Sequence, residues 1–263
     1  MSLSCLQNPH PQLHATLDEN GILELAINRP ERKNALHGEL YLFIEQAILE
    51  AEQAQGVSVV ILRGYGADFS AGNDLGEFAQ GNFSVGAPPF RLLRALNSLS
   101  KPLIIAVRGV AIGIGTTMLL HADLAYCDST ARFQLPFVSL GLSPEGAASL
   151  LLPRLAGHTK AAELLMLAEL FNAAQAREAG LVNAIIDEDV YTYARQKAQR
   201  LAALPQASLR ATKALLKNNA PTSIENRINE EAAIFVERMQ GPDMQEAIAA
   251  FKEKRAPNFK QFQ

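Results

Sequence analysis

Apolar residues recur along this chain with two different spacings. Residues 12–28 predict two short strands around the turn Glu19-Asn20-Gly21, because the run after the turn partly alternates between apolar and polar residues. Residues 37–55 instead carry apolar side chains three and four positions apart, which predicts a helix. Val57 to Leu62 is a β-branched apolar run closed by glycines, which predicts a buried strand.

The alternation of strands and helices continues to Asp187. The pattern predicts a helix over 90–99 and a second buried strand over Leu103–Val107. Further predicted elements are a helix from Thr116 to His121 and short strands at Asp123–Tyr126, Ala131–Phe133 and Val182–Ile186. Strands alternating with helices indicate βαβ units with parallel pairing, so we predict the α/β class.

The last quarter of the chain follows a different pattern. From Val190 to Phe251 only helical periodicity is present, and it is broken at Pro205, Pro221 and Pro242. Four helices without a strand cannot extend a sheet. We therefore interpret this region as a helical appendage that packs on the core or on a neighbouring subunit.

Composition narrows the class of protein. The chain has 263 residues, 48% of them hydrophobic, which suits a large globular core. A net charge of −3 argues against a nucleic-acid partner. No apolar run reaches the ~18 residues of a membrane-spanning helix, and no signal peptide or peroxisomal address is visible. With Cys5 and Cys127 far apart in sequence, a reducing, cytoplasmic setting is expected.

Two glycine-bearing turns follow the two buried strands. In Phe69-Ser70-Ala71-Gly72-Asn73-Asp74, Gly72 permits a tight reversal that leaves the backbone N–H of Asn73 free. Gly113-Ile114-Gly115 opens the next helix, whose first N–H groups lack internal partners and attract anions. Both turns are candidate oxyanion sites. The alternatives are an ordinary connecting loop for the first turn and close helix–strand packing for the second.

Glu145 is a carboxylate in an otherwise apolar, glycine-punctuated stretch from Phe133 to Leu155. Desolvation there should raise its pKa from the reference ~4.3 toward neutrality, which suits a general base. The alternative is structural. Ser143 as N-cap and Pro144 at the first helical position would begin a helix with Glu145 in its first turn.

Other chemistries lack the residues they need. His10 and His14 are four apart, but Pro11 disrupts the helix that would align them, so we expect no metal. Gly113-Ile114-Gly115 lacks the third glycine of a dinucleotide fingerprint. No Gly-x-Ser-x-Gly nucleophile elbow occurs in the sequence.

Several ordered motifs carry a resemblance to a known family. They are Asn28-Arg29-Pro30-Glu31-Arg32-Lys33-Asn34-Ala35-Leu36, Phe69-Ser70-Ala71-Gly72-Asn73-Asp74-Leu75, Gly109-Val110-Ala111-Ile112-Gly113-Ile114-Gly115, Ala131-Arg132-Phe133, Leu140-Gly141, Ala174-Gln175-Ala176-Arg177-Glu178-Ala179-Gly180-Leu181-Val182 and Phe251-Lys252-Glu253-Lys254-Arg255-Ala256-Pro257-Asn258-Phe259. In this order and spacing they resemble the crotonase superfamily, also called enoyl-CoA hydratase/isomerase. The resemblance implies a ββα spiral catalytic core over 1–189 and a helical trimerisation region over 190–263. It also implies a homotrimer, or a dimer of trimers.

The resemblance implies an acyl-CoA thioester as ligand, with coenzyme A belonging to the substrate and no separate cofactor. The backbone N–H groups of Asn73 and Ile114 would form the oxyanion hole. Phe251 and Lys254 would approach the nucleotide end from an adjacent subunit. The implied substrate contacts are Lys33, Ala35, Leu36, Ala71, Gly72, Asp74, Leu75, Gly113, Phe137, Leu140, Phe251 and Lys254.

Departures from the family pattern refine the expected reaction. Thr117 and Phe137 stand where hydratases carry two glutamates, and neither residue can exchange protons at neutral pH. Glu145 lies in a Ser-Pro-Glu-Gly motif similar to that of peroxisomal-type Δ3,Δ2-enoyl-CoA isomerases. The resemblance therefore implies that Glu145 alone moves a proton from C2 to C4 of a 3-enoyl-CoA. Hydration or other enolate chemistry on an acyl-CoA, and non-catalytic acyl-CoA binding, are the open alternatives.

Overall fold

The computed structural model describes residues 3–78, 84–217 and 221–262. Its strands are β1 Leu13–Leu17, β2 Ile22–Ile27, β3 Val59–Gly64, β4 Leu103–Val107, β5 Val110–Ile112, β6 Leu124–Asp128, β7 Arg132–Gln134, β8 Phe171–Asn172 and β9 Ala184–Ile186. The main sheet has the order β1-β2-β3-β4-β6-β9, and a second sheet has the order β5-β7-β8. In the main sheet β1 pairs antiparallel with β2, and every later pair is parallel. The α/β prediction is therefore confirmed.

Helices fill most of the remaining described chain. They are α1 Ser4–Gln7, α2 Gly38–Gln53, α3 Leu75–Phe78, α4 Pro88–Ser98, α5 Ile114–Thr117, α6 Ala148–Ala156, α7 His158–Ala162, α8 Ala173–Glu178, α9 Val190–Ala202, α10 Gln206–Lys217, α11 Pro221–Met239 and α12 Pro242–Glu253. Short 3₁₀ turns occupy Pro30–Arg32, Met118–His121, Val138–Leu140 and Phe259–Phe262, and a π turn occupies Glu163–Leu167. None of the described helices is both long and apolar enough to cross a membrane.

The central strands β3 and β4 of the main sheet are buried on both faces, because they are apolar at successive positions. Val60 and Leu62 of β3 pack into a large cluster that also contains residues of α2 and α4. Val59 and Ile61, on the opposite face, pack against α9. The α9 side chains in that second cluster are Val190, Ala194 and Ala198. Core packing therefore continues past the predicted division at residue 189.

Prolines set the limits of the C-terminal helices. Pro221 and Pro242 are the first residues of α11 and α12, where a missing N–H costs nothing. The predicted number of helices after Val190 matches α9 to α12. Lys213 of α10 is buried, and its ammonium donates to the carbonyl of Lys101 at 2.6 Å and to the carboxylate of Asp123 at 2.5 Å. These bonds fix α10 to the segments that lead into β4 and β6, two interior strands of the main sheet.

Candidate active site

The first glycine turn, residues 69–74, leaves the backbone N–H of Asn73 free to donate. The N–H of Leu36 donates to Gly72 O at 2.7 Å, and the N–H of Asp74 donates to Leu36 O at 2.8 Å. Because successive peptide groups of extended chain point in opposite directions, the N–H of Asn73 points away from Leu36. Within the described residues no acceptor receives it. Gly72 makes the turn possible with φ 85°.

The second turn presents a donor at a helix start. Gly113 adopts φ 55° and ψ −120°, and its N–H donates to Gln134 O at 2.9 Å. Ile114 is the first residue of α5, so its N–H lacks an internal acceptor. The prediction that this helix begins at Thr116 is wrong by two residues. The helix begins directly after Gly113, so Ile114 holds its first position.

The two turns approach each other closely. A Cβ added to Gly72 would lie 2.5 Å from Ile112 O and 3.9 Å from the nitrogen of Ile114. A Cβ on Gly115 would lie 2.6 Å from Ser70 O. Only glycine fits at such contacts. The glycines therefore allow the donors at Asn73 and Ile114 to lie beside the same space.

That space is a cavity of about 260 Å³. Its lining residues are Ala71, Gly72, Asn73, Leu75, Ile112, Gly113, Ile114, Gln134, Pro136, Phe137, Leu140, Leu142, Phe235 and Phe251. None of these lining residues is charged. Apart from the two backbone donors, the cavity therefore suits an apolar group.

Glu145 is buried beside this cavity without lining it. Burial raises its pKa to about 8, and the Glu231 charge adds to the rise, while a hydrogen bond from Thr117 opposes it. Thr117 Oγ1 donates to Glu145 Oε1. Glu145 Oε2 is buried and has no partner among the described residues. The expected desolvation of this carboxylate is thus confirmed.

Thr117 joins Glu145 to the helix that carries one donor, and Tyr41 contacts the turn that carries the other. Thr117 belongs to α5, the helix that begins with Ile114. Tyr41 of α2 donates its hydroxyl to Asn73 Oδ1 at 2.7 Å. The pKa of Tyr41 is raised by burial, and the charges of Glu145 and Glu77 add to the rise. A base with a neutral-range pKa and two oxyanion donors therefore occupy one region.

The local chain around Glu145 does not form the helix start that its sequence suggested. Ser143 is not an N-cap, because α6 begins only at Ala148 and its N-cap is Ala147. Gly146 and Ala147 have φ 71° and 59°, and this left-handed pair excludes a helix through Glu145. The alternative that Glu145 lies in the first turn of a helix capped by Ser143 is therefore wrong. Ser143 Oγ is instead buried without a partner among the described residues.

Contacts from two sides hold the turn that carries Glu145. His121 Nε2 lies 2.9 Å from Gly146 O, and burial lowers the pKa of His121 to about 3. The neutral ring therefore donates to that carbonyl. A Cβ on Gly146 would lie 3.3 Å from both Thr117 Cβ and Leu93 Cδ2. Gly146 thus permits the close approach between Glu145 and Thr117.

The structure brings most of the predicted contact residues to the cavity. Those in its wall are Ala71, Gly72, Asn73, Leu75, Gly113, Ile114, Phe137, Leu140 and Phe251. Phe251 does so within its own chain, whereas the resemblance implied an adjacent subunit.

The other predicted contacts lie outside the cavity wall. Lys33 is exposed, and its carbonyl accepts from the N–H of Ala71 at 2.8 Å. Ala35 and Leu36 are buried in the segment that pairs with the first turn. Asp74 is ion-paired with Arg29 at 2.6 Å. Lys254 is an exposed residue at the end of α12.

Sequence reasoning missed Tyr41, Phe235 and Glu231. Tyr41 falls beside the apolar stripe of α2, which was the available signal. Phe235 of α11 meets Phe137 with ring centroids 6.3 Å apart, and no local pattern indicates that contact. Glu231 accepts from the backbone N–H of Ser149 at 2.9 Å near the start of α6. Its link to Glu145 depends entirely on how α11 packs.

Comparison with known proteins places the chain in a family. The profile of the enoyl-CoA hydratase/isomerase family matches residues 18–263. The chain belongs to this family, the crotonase superfamily, whose members act on acyl-CoA thioesters as hydratases and isomerases.

Characterised relatives differ in the reaction that they catalyse. A 1,2-epoxyphenylacetyl-CoA isomerase from Escherichia coli is 32% identical, over 92% of this chain and 95% of the relative. A 2,3-dehydroadipyl-CoA hydratase from the same organism is also 32% identical, over 91% of this chain and 95% of the relative. A crystal structure from Acinetobacter baumannii, described as an enoyl-CoA hydratase/isomerase, is 57% identical with a TM-score of 0.84. The match covers 89% of this chain and 100% of that chain.

Metal ligation finds no support in the described residues. Among them, no group of three or more His, Cys, Asp or Glu side chains is placed to hold an ion.

Proposed function

We propose that this protein is a Δ3,Δ2-enoyl-CoA isomerase. The observation that carries the proposal is Glu145, a buried carboxylate with a pKa of about 8, which accepts a hydrogen bond from Thr117 of the helix that begins at Ile114. Thr117 and Phe137 occupy the positions where the family resemblance places the hydratase glutamates. A single acid/base suffices for isomerisation, because one group can accept a proton and then return it.

The reaction follows from the placement of charge. Ionised Glu145 removes a proton from C2 of a 3-enoyl-CoA, and negative charge moves to the thioester oxygen. The N–H groups of Asn73 and Ile114 stabilise that oxyanion. Protonated Glu145 then delivers the proton to C4, giving trans-2-enoyl-CoA with no net gain or loss of atoms. The apolar wall limits the access of water, which disfavours hydration of the product.

The reaction should depend on pH through the base. Glu145 must be ionised in the free enzyme, and its pKa of about 8 leaves most of it protonated at neutral pH. We therefore expect kcat/KM to rise about tenfold per pH unit below this value and to level off above it. A plateau already reached near pH 5 would show that the base is not desolvated.

The deciding experiment separates isomerisation from hydration. Trans-3-hexenoyl-CoA and crotonyl-CoA are supplied separately to the wild type, to Glu145→Gln and to the control Glu188→Gln, which changes an exposed carboxylate. We expect the wild type and the control to isomerise the 3-enoyl substrate and Glu145→Gln to lose about 10³-fold or more. Wild-type hydration of crotonyl-CoA without isomerisation would overturn the proposal.

Hydration is the second candidate, and a specific observation favours keeping it. Glu231 is a second buried carboxylate whose charge reaches Glu145, and burial raises its pKa as well. A hydratase needs two acid/base groups to position water and protonate the product. If crotonyl-CoA is hydrated, Glu231→Gln should abolish that activity, and a fully active Glu231→Gln variant would exclude this route.

We also propose that the protein forms a homotrimer, either alone or as a hexamer built from two trimers. Met166, Leu167 and Leu170 are 69%, 61% and 56% exposed in the single chain, which is unusual for large apolar side chains. Burying them against a second copy removes that area from water. Light scattering during size-exclusion chromatography should give three or six times the mass of 28.5 kDa, and a monomeric mass would contradict the proposal.

A further inference from the structure

Thr117 has one hydroxyl proton and two acceptors within reach. Its side chain is fully buried, with 0% of the residue exposed. Oγ1 donates to Glu145 Oε1, and it lies 3.4 Å from Ile114 O, which is too long to compete. Glu145 Oε1 is therefore occupied, while Oε2 has no partner in the described part of the chain. The two oxygens of the carboxylate are thus chemically different.

We propose that Thr117 is the positioning residue of the acid/base: its hydroxyl holds Glu145 Oε1, so that Oε2 takes the C2 proton and returns it to C4. The proposal rests on the isomerase function proposed above. The step balances, because the proton leaves carbon for Oε2 and then returns from Oε2 to carbon, while Thr117 keeps its own proton.

Thr117 and the oxyanion donor Ile114 lie on the same short helix. Thr117 lies three residues after Ile114 on α5, so the residue that holds the base and the oxyanion donor share one helical turn. Any displacement of α5 moves both together. Gly146 allows the approach from the other side, since a Cβ there would press on Thr117 Cβ at 3.3 Å. The distance between base and oxyanion donor is therefore set by one rigid contact.

The hydrogen bond also favours ionised Glu145, because a hydroxyl donates more strongly to a carboxylate than to a neutral carboxyl group. Other groups act on the same carboxylate. Glu231 of α11 raises its pKa by charge repulsion. Tyr41 of α2 stays neutral because its own pKa is raised, and His121 is neutral because burial lowers its pKa to about 3. Among these neighbours, Thr117 is the donor that contacts the carboxylate directly.

The test compares adjacent threonines. Thr117→Val removes the hydroxyl with little change of shape, Thr117→Ala removes it without a branched side chain, and Thr117→Ser retains it. Thr116→Val is the matched control, because Thr116 is equally buried but its hydroxyl donates to Ala111 O and to Gln134 O at 3.0 Å. The Glu145 titration is followed without substrate by ¹³C NMR of labelled glutamate carboxyls, with its resonance identified by loss in Glu145→Gln.

We expect Thr117→Val and Thr117→Ala to raise the Glu145 pKa by about one unit. The rising limb of kcat/KM should move with it, and kcat should fall at least about tenfold with KM changed less than about threefold. In Thr117→Ser the rising limb of kcat/KM should return to its wild-type pH, and in Thr116→Val it should stay at that pH.

Three outcomes decide the proposal. A Glu145 titration that is the same in Thr117→Val and Thr116→Val overturns it, as does a Thr117→Ser variant that behaves like Thr117→Val. If the pKa moves as expected but the wild type does not isomerise trans-3-hexenoyl-CoA, the isomerase proposal fails and the positioning of Glu145 by Thr117 stands.

Discussion

At pH values near and above the pKa of Glu145, replacing this residue with glutamine should stabilise the protein while removing its proposed chemistry. Glu145 is 3% exposed, and burial raises its pKa from the ordinary 4.5 to about 8. Between these values the folded state keeps a proton that the unfolded chain releases. Wild-type stability therefore falls as pH rises through this window, and the stabilising effect of the proton is fully lost above the folded pKa. Glutamine has no such titration.

The structure gives the size of the effect. At about 1.4 kcal/mol per pKa unit, the shift from 4.5 to about 8 costs about 5 kcal/mol once Glu145 is ionised. By the same linkage, ionisation of Glu145 lowers the stability of the wild type by about 1 kcal/mol at pH 5 and by about 3 kcal/mol at pH 7. The unpaired amide of glutamine costs about 1–3 kcal/mol at every pH. The pH-dependent difference, about 4 kcal/mol between pH 5 and pH 9, is therefore the diagnostic quantity.

Urea unfolding at pH 5, 7 and 9 measures this difference, with protein concentration held fixed because assembly affects apparent stability. Glu188→Gln is the matched control, since Glu188 is exposed. We expect the free energy of unfolding of Glu145→Gln to gain steadily on the wild type as pH rises. A constant difference across this range would show that Glu145 titrates normally, and the reasoning from desolvation would be refuted.

Three further predictions test the turns and the cavity. Gly72→Ala should lower kcat/KM about 100-fold, because the residue has φ 85° and its Cβ would lie 2.5 Å from a carbonyl oxygen. Steady-state kinetics measure the loss, with Gly56→Ala as the control because a Cβ there meets nothing within 4 Å. Equal activities of the two variants would contradict the close approach of the turns. His121→Ala should lower the free energy of unfolding in urea by about 1–3 kcal/mol, because it leaves Gly146 O without its donor. His158→Ala, at an exposed position, should lower it little. Similar losses in the two variants would argue against the contact between His121 and Gly146. A 3-enoyl-CoA ending in a carboxylate should show kcat/KM at least about 100-fold below an alkyl chain of equal length, because none of the described residues in the cavity wall is a cation that could pair with it. Equal values would mean that the acyl chain lies elsewhere.

The main elements of the fold could be predicted because their signals are local. β4 was predicted to the residue, since an apolar run between Pro102 and Arg108 has clear limits. β3 instead begins at Val59, two residues later than predicted, because the N–H of Val57 donates to Ala54 O and pairing in the sheet starts only opposite Ile22. Strands β5 and β8 were missed. They have three and two residues, too few for periodicity to show.

The site was predicted unevenly for a similar reason. The glycines at 72 and 113 mark turns by their own backbone freedom, and the resemblance assigned the donors beside them. The capping pattern at Ser143 misled because Gly146 and Ala147 adopt left-handed backbone, which depends on contacts with Leu93, Thr117 and their neighbours. A capping preference is worth about 1 kcal/mol, so tertiary contacts can override it.

The sequence by itself determined the α/β class, the C-terminal helices, the two glycine turns and the presence of a carboxylate, Glu145, in an apolar stretch. Each depends on residue type and spacing within a short segment. Only the tertiary structure decided that Thr117 donates to Glu145, that Tyr41 contacts Asn73 and that Phe235 lines the cavity. These contacts join residues that lie far apart in the sequence, with Thr117 and Glu145 separated by 28 positions. Burial and hydrogen bonding, which set the pKa of Glu145, arise only when those segments pack together.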